Sequence, residues 1–208
     1  MPEGLEIYAL SYAINKLLPD YTYAIGKHLI VNETEDWSFG LSGRVYMNEE
    51  GMLAKVNDGY IPGSTKIVDN DINKLGPSWC HINDVAIVID LVERWSKSKK
   101  KLGAILLDQS EISGIGVAWG SEILHKAHLR PEMSAQSELS LPDAKGDLIN
   151  AIFDVRNSAL NTYIEFIEKS QNIKEFINRW YLNLYEIRTM KVYKKGIPIE
   201  VAGRKWWV

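Results

Sequence analysis

The second residue, Pro2, is the first candidate for chemistry. Once Met1 is removed, Pro2 presents a secondary amine, and an α-amino group has a pKa of roughly 8, against about 10.4 for a lysine side chain. Enough of this amine is neutral at pH 7 to attack an aldehyde-level carbon and form an iminium. Glu3 follows at once and Glu6 one helical turn later, and both are placed for proton transfer. A proline is also common at the first helical position, so Met-Pro-Glu alone favours a structural role.

A polar loop with two glycines is the second candidate. The stretch LLDQSEISGIGVAWGSEILHKA (106–127) predicts a helix, a turn with Gly114 and Gly116, and a second helix. Glycines let the backbone approach a phosphate closely, and the N-terminus of the second helix directs N–H groups at such an anion. Ordinary helical hairpins also use glycine, so this pattern alone leaves both interpretations open.

Positive charge is concentrated in two segments, although the net charge of the chain is −3. Residues 94–101 (RWSKSKKK) carry five basic side chains and no acidic one, and they include Lys99 and Lys100. Residues 188–205 carry six basic side chains and one acidic one, a balance of 6 − 1 = +5. Two solvated faces would explain this distribution, and so would an anionic partner that docks on two basic patches.

Composition excludes several classes of protein. Cys80 is the single cysteine, which excludes an intrachain disulfide framework and a cysteine-based zinc site. His125 and His128 could share a helix face, but a surface or core role is favoured over a metal site. The sequence contains no run of about 18 apolar residues, so no membrane span is expected. The acidic start is unlike a signal peptide. We therefore expect an intracellular, monomeric protein, cytoplasmic, nucleoid-associated or nuclear, with no metal, no cofactor and no membrane contact.

Hydrophobic patterning predicts the elements that position these residues. Residues 3–18 predict a helix, because Pro2 fits the first turn and apolar residues recur on one face until Pro19. From about Tyr21 to Asp71, short runs such as KHLIV, WSFGLSGRVYM and GMLAKV alternate with turn signals and predict a small β-rich domain.

After LGPSWCHIN (75–83), which resembles a linker, the pattern becomes helical. The helices are predicted at about 83–95, 98–108, 117–128, 143–170 and 172–184. The last segment, KVYKKGIPIEVAGRKWWV (191–208), returns to strand character, with a strand predicted at 191–193 and a turn at Gly-Ile-Pro. These elements predict the α+β class.

Two of these motifs together resemble the formamidopyrimidine-DNA glycosylase/endonuclease VIII family. They are Met-Pro-Glu-Gly-x-Glu at the start and LLDQ-x-x-x-x-GIG-x-x-x-x-SEIL-x-x-A-x-x-x-P in the middle. GKHLIV (26–31) ahead of GLSGR (40–44), LGP (75–77) and the ending VYKKG…VAGRKWW are also similar to the family pattern. The resemblance covers nearly the whole chain, with gaps.

The resemblance implies a bifunctional DNA glycosylase and AP lyase of base-excision repair. Such an enzyme excises oxidised bases through a Schiff base on Pro2 and cleaves the strand by elimination. Glu3, with Glu6 nearby, would transfer protons at the sugar. Lys27 matches a β-hairpin lysine that positions a phosphate or assists the departing base. The implied partner is damaged DNA, duplex or single-stranded.

The resemblance also implies DNA contacts outside the catalytic centre. Arg204 matches an arginine at a hairpin turn that grips the DNA backbone, and Leu41 matches an intercalating methionine. Val117 stands where the family has a phosphate-contacting asparagine, and the family's arginine–phenylalanine pair is absent. The implied DNA-binding residues are Arg204, Gly114, Gly116, Leu41, Lys99 and Lys100.

The implied fold has three parts. Residues 1–80 would form a β-sandwich-like catalytic domain with an N-terminal helix, and residues 81–187 a helix-two-turn-helix DNA-binding domain. Residues 188–208 would form a short β-hairpin without zinc, because the family's zinc-binding cysteines are missing, as in the zincless finger of some members.

Two alternatives remain beside the enzyme. A catalytically degenerate DNA-binding relative would explain the missing arginine–phenylalanine pair and Val117. Binding alone, however, has no use for the amine of Pro2. A protein-interaction module with basic faces would explain the seven tryptophans but not the Gly-Ile-Gly loop.

Overall fold

The computed structural model describes residues 75–171 and 190–208, Leu5, and the backbone of four short strands between residues 23 and 46. By its contacts the chain divides into two compact units, residues 1–73 with 160–189 and residues 74–159 with 190–208. Leu5 is helical and fully buried. The rest of the predicted helix 3–18, the predicted helix 172–184 and the strand signals after residue 46 lie outside the described residues.

The four strands of the first unit form one antiparallel sheet in sequential order. Strand β1 (Tyr23–Ile25) pairs with β2 (Leu29–Val31), and β3 (Ser38–Phe39) pairs with β4 (Val45–Tyr46). The pair of Ile30 with Ser38 joins the two hairpins. The strand character predicted for this region is confirmed where strands are described, whereas a β-sandwich remains a prediction.

Helices dominate the second unit. The described helices are α1 Val85–Trp95, α2 Leu102–Leu107, α3 Val117–Lys126, α4 Ala135–Glu138 and α5 Ala144–Glu168, and only residues 160–168 of α5 belong to the first unit. Asp84 caps α1, because its Oδ1 accepts the N–H of Ala86 at 2.9 Å. The predicted helices at 83–95, 117–128 and 143–170 are confirmed. None of the helices in the described part of the chain has the length and apolar character needed to cross a membrane.

Helix α2 begins later than the predicted residue 98. Lys101 is extended, with a φ of −60° and a ψ of 137°, and is the N-cap. The carbonyl of Lys100 accepts the N–H of Ala135 at 2.9 Å, and the N–H of Leu102 donates to the carbonyl of Met133 at 2.9 Å. These bonds keep residues 98–101 out of the helix. The four-residue helix α4, which begins at Ala135, was not predicted.

The core of the second unit is built around buried tryptophans, namely Trp79, Trp95 and Trp206, each at most 2% exposed. The indole N–H of Trp79 donates to the carbonyl of Ile152 on α5 at 3.0 Å. The ring of Trp79 also lies 6.1 Å from that of Trp119 on α3, in a tilted arrangement. Trp79 therefore ties the segment before α1 to two helices.

The chain ends in a two-stranded antiparallel hairpin of β5 (Pro198–Val201) and β6 (Arg204–Trp207). Its turn is Ala202-Gly203, with φ values of 52° and 69°. Two successive residues with positive φ suit the right-handed twist of the strands. The predicted hairpin is confirmed, but the turn at Gly-Ile-Pro is wrong, because Pro198 starts β5. The strand predicted at 191–193 is also wrong, since these residues form a turn.

Candidate functional site

The loop between α2 and α3 (residues 108–116) is held in shape by the side chain of Gln109. Its Oε1 accepts the N–H of Gly114 at 2.8 Å. Its Nε2 donates to the carbonyls of Leu107 at 3.2 Å and Ile115 at 3.0 Å. Gly114 has a φ of 95°, a region that favours glycine. The loop therefore follows one defined backbone path from α2 to α3.

The segment LGPSW (75–79), predicted as part of a linker, anchors this loop. The N–H of Gly76 donates to the carbonyl of Gln109 at 2.8 Å, and Ser113 Oγ donates to the carbonyl of Gly76 at 3.0 Å. A Cβ atom at Gly76 would stand 2.5 Å from the carbonyl oxygen of Glu111. Because such an approach excludes any side chain, the glycine of LGP is required by the loop that it touches.

Glu111 connects the loop to the end of α1. Its Oε2 accepts hydrogen bonds from Arg94 at 2.5 Å and from the indole N–H of Trp95 at 3.0 Å. Partial burial raises the pKa of Glu111, but the hydrogen bonds from Trp95 and Arg94 outweigh it, and the pKa lies below its usual value. The carboxylate is therefore charged at neutral pH and holds Arg94 against the loop.

The basic segment (residues 94–101) presents its lysines to solvent, since Lys97, Lys99, Lys100 and Lys101 are all exposed. Its backbone is fixed, because the carbonyl of Ser98 accepts the N–H of Gln136 at 2.9 Å. The lysines thus extend from a defined support, which suits contact with an anionic surface.

Asp108, the first residue of the loop, lies beside the basic segment. Its carboxylate is 3.8 Å from the ammonium group of Lys100. The hydroxyl of Ser110 donates to Asp108 Oδ1 at 2.5 Å, and this bond is the main cause that lowers the pKa of Asp108, with Lys100 contributing. The ion pair is exposed and contributes little stability, but it places the Lys100 ammonium group next to the loop.

Helix α3 begins at the end of the loop, with Gly116 as its N-cap. Because this residue is glycine, it adds no side chain over the first turn of the helix. Val117, where the resembled family has asparagine, is half-buried at the first helical position. The positive end of the helix dipole therefore follows the two predicted glycines directly.

Arg204 is exposed at the start of β6, directly after the hairpin turn. Two residues later, the fully buried Trp206 contacts both helices that flank the loop. A Cβ atom at Gly103 of α2 or at Gly120 of α3 would stand 2.9 Å from the indole of Trp206. The hairpin is therefore seated in a slot that the two glycines leave open.

The structure tests the surroundings of only some predicted site residues. Pro2, Glu3, Glu6, Lys27 and Leu41 lie outside the described residues, and their roles stay predictions. Gly114, Gly116, Lys99 and Lys100 belong to one supported loop and its neighbouring basic segment. Among residues 75–171 and 190–208 and the few others described, no group of three or more His, Cys, Asp or Glu side chains could hold a metal ion.

Sequence reasoning missed the residues that build the loop. Gln109 stands in the LLDQ motif and Gly76 in LGP, and neither motif by itself predicts a supporting role for them. Trp206 stands in the ending VAGRKWW, which by itself predicts no packing partner for it. A buried tryptophan and helical glycines at 103 and 120 are signals of close packing, but the sequence does not say which glycine faces which ring.

Comparison with known proteins identifies the helical part of the chain. Residues 82–171 match the family model described as the formamidopyrimidine-DNA glycosylase H2TH domain. These residues form an H2TH domain of the formamidopyrimidine-DNA glycosylase family. The family resemblance inferred from the sequence is thereby confirmed. The loop 108–116 and Gln109 lie within the matched residues, whereas Gly76 precedes them.

Relatives that match most of the chain carry the same name. The formamidopyrimidine-DNA glycosylase of Rickettsia conorii is 25% identical over 191 residues, which cover 80% of this chain and 67% of that protein. The Listeria innocua protein of that name is 28% identical over 134 residues, which cover 64% of this chain and 45% of that protein. The alignments thus span about two thirds of the first relative and less than half of the second.

A solved structure shares the fold. The crystal structure of an LlFpg mutant in complex with DNA that contains THF superposes with a TM-score of 0.61 at 16% identity. The superposition covers 99% of this chain and 97% of that chain. At this identity the likeness concerns the fold alone, and it agrees with an H2TH domain followed by a small C-terminal hairpin.

Proposed function

We propose that this protein is a DNA glycosylase with AP-lyase activity that excises oxidised bases from DNA. The observation that carries the proposal is the H2TH domain at residues 82–171, of the family whose relatives are named formamidopyrimidine-DNA glycosylase. The N-terminal motif supports catalysis, because a secondary amine followed by two acidic residues serves covalent chemistry and has no role in binding alone.

The H2TH domain and the hairpin hold the DNA backbone without reading its sequence. Gly114 and Gly116 allow a phosphate to approach the loop and the N-terminus of α3. Lys99 and Lys100 add charge from the neighbouring basic segment, and Arg204 adds it from the hairpin turn. Phosphate contacts of this kind supply affinity and register but no sequence preference.

Catalysis takes place at the N-terminus on a nucleotide extruded from the duplex, with Leu41 filling the gap that it leaves. The nitrogen of Pro2 bonds to C1′ as the bond between C1′ and the base breaks, and Lys27 assists the base as it departs with a proton. Glu3, with Glu6 nearby, transfers protons at the sugar as the ring opens to an iminium. Loss of a proton from C2′ then expels the 3′-phosphate and cleaves the strand.

Borohydride trapping on DNA with an abasic site tests this mechanism. Borohydride reduces the iminium to a stable amine, so the wild-type protein should form a covalent adduct with DNA. Replacing Pro2 by Gly, or adding residues ahead of it, should abolish or greatly slow adduct formation. DNA whose abasic site has been reduced beforehand is the control, because it offers no aldehyde and should give no adduct.

The outcomes separate the proposal from its alternative. Tight binding of lesion-containing DNA without any adduct would identify a catalytically degenerate DNA-binding relative. Undiminished trapping by a protein with a blocked N-terminus would show that a different amine is the nucleophile. An adduct that depends on Pro2, together with release of an oxidised base, supports the proposed function.

A further inference from the structure

The C-terminal tail (residues 190–208) is oriented by a single buried carboxylate on α3. Glu122 is only 6% exposed. Its Oε2 accepts the N–H of Lys191 at 2.8 Å, and its Oε1 accepts the N–H groups of Val192 and Tyr193, each at 2.8 Å. Three successive backbone donors thus converge on one side chain.

The same helix holds the other end of the tail. The hydroxyl oxygen of Ser121 accepts the N–H of Trp207 at 3.2 Å, next to Trp206 in its slot over Gly120. Residues 188–208 contain neither cysteine nor histidine, so the tail has no side chains for a structural zinc site of thiolate and imidazole ligands. Helix α3 orders the tail through Ser121, Glu122 and Gly120 instead.

Burial keeps the charge of Glu122 away from the basic surface of the tail. An exposed acid beside Lys191, Lys194 and Lys195 would weaken the attraction of this surface for an anion. Glu122 is buried, and both of its oxygens accept backbone N–H groups, so its charge is directed at the peptide backbone. Hydrogen bonds to a charged acceptor are stronger than neutral ones, which makes a carboxylate the effective side chain for ordering a turn.

We propose that Glu122 is a positioning residue for DNA binding, which acts through the tail to hold Arg204 where it reaches a phosphate. Residues 191–193, which Glu122 binds, lead into β5, and Arg204 begins β6 after the hairpin turn. Without the carboxylate, residues 190–196 lose their order, and the arginine contributes less to binding. This inference rests on the proposed function, because it takes DNA as the partner.

Glu122→Gln is the test variant and Glu138→Gln its matched control. Glutamine keeps the size of the side chain but turns an NH2 group toward N–H donors, so at least one bond is lost. Glu138 is also buried, at 1% exposure, and its Oε2 accepts the backbone N–H of Arg130 at 2.8 Å. The control therefore loses a comparable buried carboxylate, whose hydrogen bonds come from Arg130 and not from the tail.

The first measurement is the Kd for duplex DNA with an abasic-site analogue at several salt concentrations, in a cycle of Glu122→Gln and Arg204→Ala. Each single variant should weaken binding by about tenfold and lower the salt slope by about 1, the share of one phosphate contact. The double variant should bind like Arg204→Ala alone, within about twofold. Glu138→Gln should keep the wild-type slope.

A merely structural role of Glu122 would give different results. Losses that multiply in the double variant, or an unchanged salt slope in Glu122→Gln, would overturn the inference. An Arg204→Ala variant with wild-type affinity would also overturn it, because there would be no contact to position. Failure of borohydride trapping with a normal binding cycle would instead overturn the proposed catalytic function and leave the role of Glu122 standing.

Hydrogen exchange without DNA supplies the second measurement. The amides of residues 191–193 should exchange at least about tenfold faster in Glu122→Gln than in wild-type protein, while amides of α3 and α5 keep their rates. Unchanged protection of residues 191–193 would overturn the inference even if DNA binding were weaker. If all amides exchange faster, Glu122→Asp serves as a second variant, which should restore the salt slope in part.

Discussion

The indole of Trp206 fills the space over Gly120, where a Cβ atom would stand 2.9 Å from Cη2 of the ring. Gly120→Ala should therefore destabilise the second unit, because the hairpin must shift to admit one methyl group. Overpacking of this kind costs about 1–3 kcal/mol. Urea denaturation, monitored by tryptophan fluorescence, measures the change in the free energy of unfolding.

Gly146→Ala is the matched control for this substitution. Gly146 is exposed on α5, and a Cβ atom there would meet no atom within 4 Å. Alanine is the better helix former by about 1 kcal/mol, so this variant should be as stable as wild type or more stable. Equal destabilisation by both substitutions would contradict the role of the slot.

Loss of the Gln109 side chain should loosen the loop 108–116. Gln109→Ala removes the acceptor of the Gly114 N–H and the donor to the Leu107 and Ile115 carbonyls. Each such bond contributes about 0.5–1.5 kcal/mol. We expect weaker binding of abasic-site DNA with unchanged helical circular dichroism. Gln136→Ala, at an exposed site on α4, should bind as wild type does.

Acid should weaken the loop through Asp108. The pKa of Asp108 in the folded protein is below its usual value, chiefly because of the hydrogen bond from Ser110. A depressed carboxyl pKa contributes stability above the unfolded value of about 3.9, and this contribution is lost as pH falls through the folded pKa. Ser110→Ala should raise the pKa of Asp108 in a carboxyl NMR titration.

Stability measurements should show the same dependence. Near neutral pH, Ser110→Ala should be less stable than wild type, by less than about 1 kcal/mol because the site is partly exposed. The difference should shrink below about pH 4. Ser140→Ala is the control, since the Ser140 hydroxyl donates to a backbone carbonyl, that of Ser137, at 2.8 Å. A difference that is independent of pH would contradict this account.

The predicted catalytic residues should separate base excision from strand cleavage. Glu3→Gln should lose excision of oxidised bases and keep part of its cleavage at preformed abasic sites, because the latter needs no base departure. Lys27→Ala should slow excision more than it weakens DNA binding. Single-turnover rates on both substrates measure the split, and full activity of both variants on base lesions would refute the assignment.

Local signals in the sequence were sufficient to predict most of the described helices and the glycine loop. The apolar periodicity of α1, α3 and α5 is set by residues three or four apart, so it can be read without knowledge of the rest of the chain. Gly114 and Gly116 mark the turn between two such patterns. Gly114 has the left-handed backbone that favours glycine, whereas Gly116 is extended and is the N-cap of α3. The motifs around them were also sufficient to indicate the family.

The hairpin shows where local signals became ambiguous. The residue types of Gly-Ile-Pro predict a turn, whereas the family resemblance implies a turn beside Arg204. In the structure the turn is Ala202-Gly203, while Gly196 serves close packing, since a Cβ atom there would stand 2.4 Å from the carbonyl oxygen of Val208. A glycine is required in either role, so its presence alone does not distinguish a turn from a close contact.

By itself, the sequence determined the local elements, the loop glycines, the basic segment and the family resemblance. Only the tertiary structure decided which residues support them: Gly76 under the loop, Glu122 on the N–H groups of 191–193, and Trp206 over Gly120. These partners are far apart in the chain, about 70 residues in the case of Glu122. Periodicity records which face of an element is buried, but the partner on that face is fixed only when the helices and the hairpin pack together.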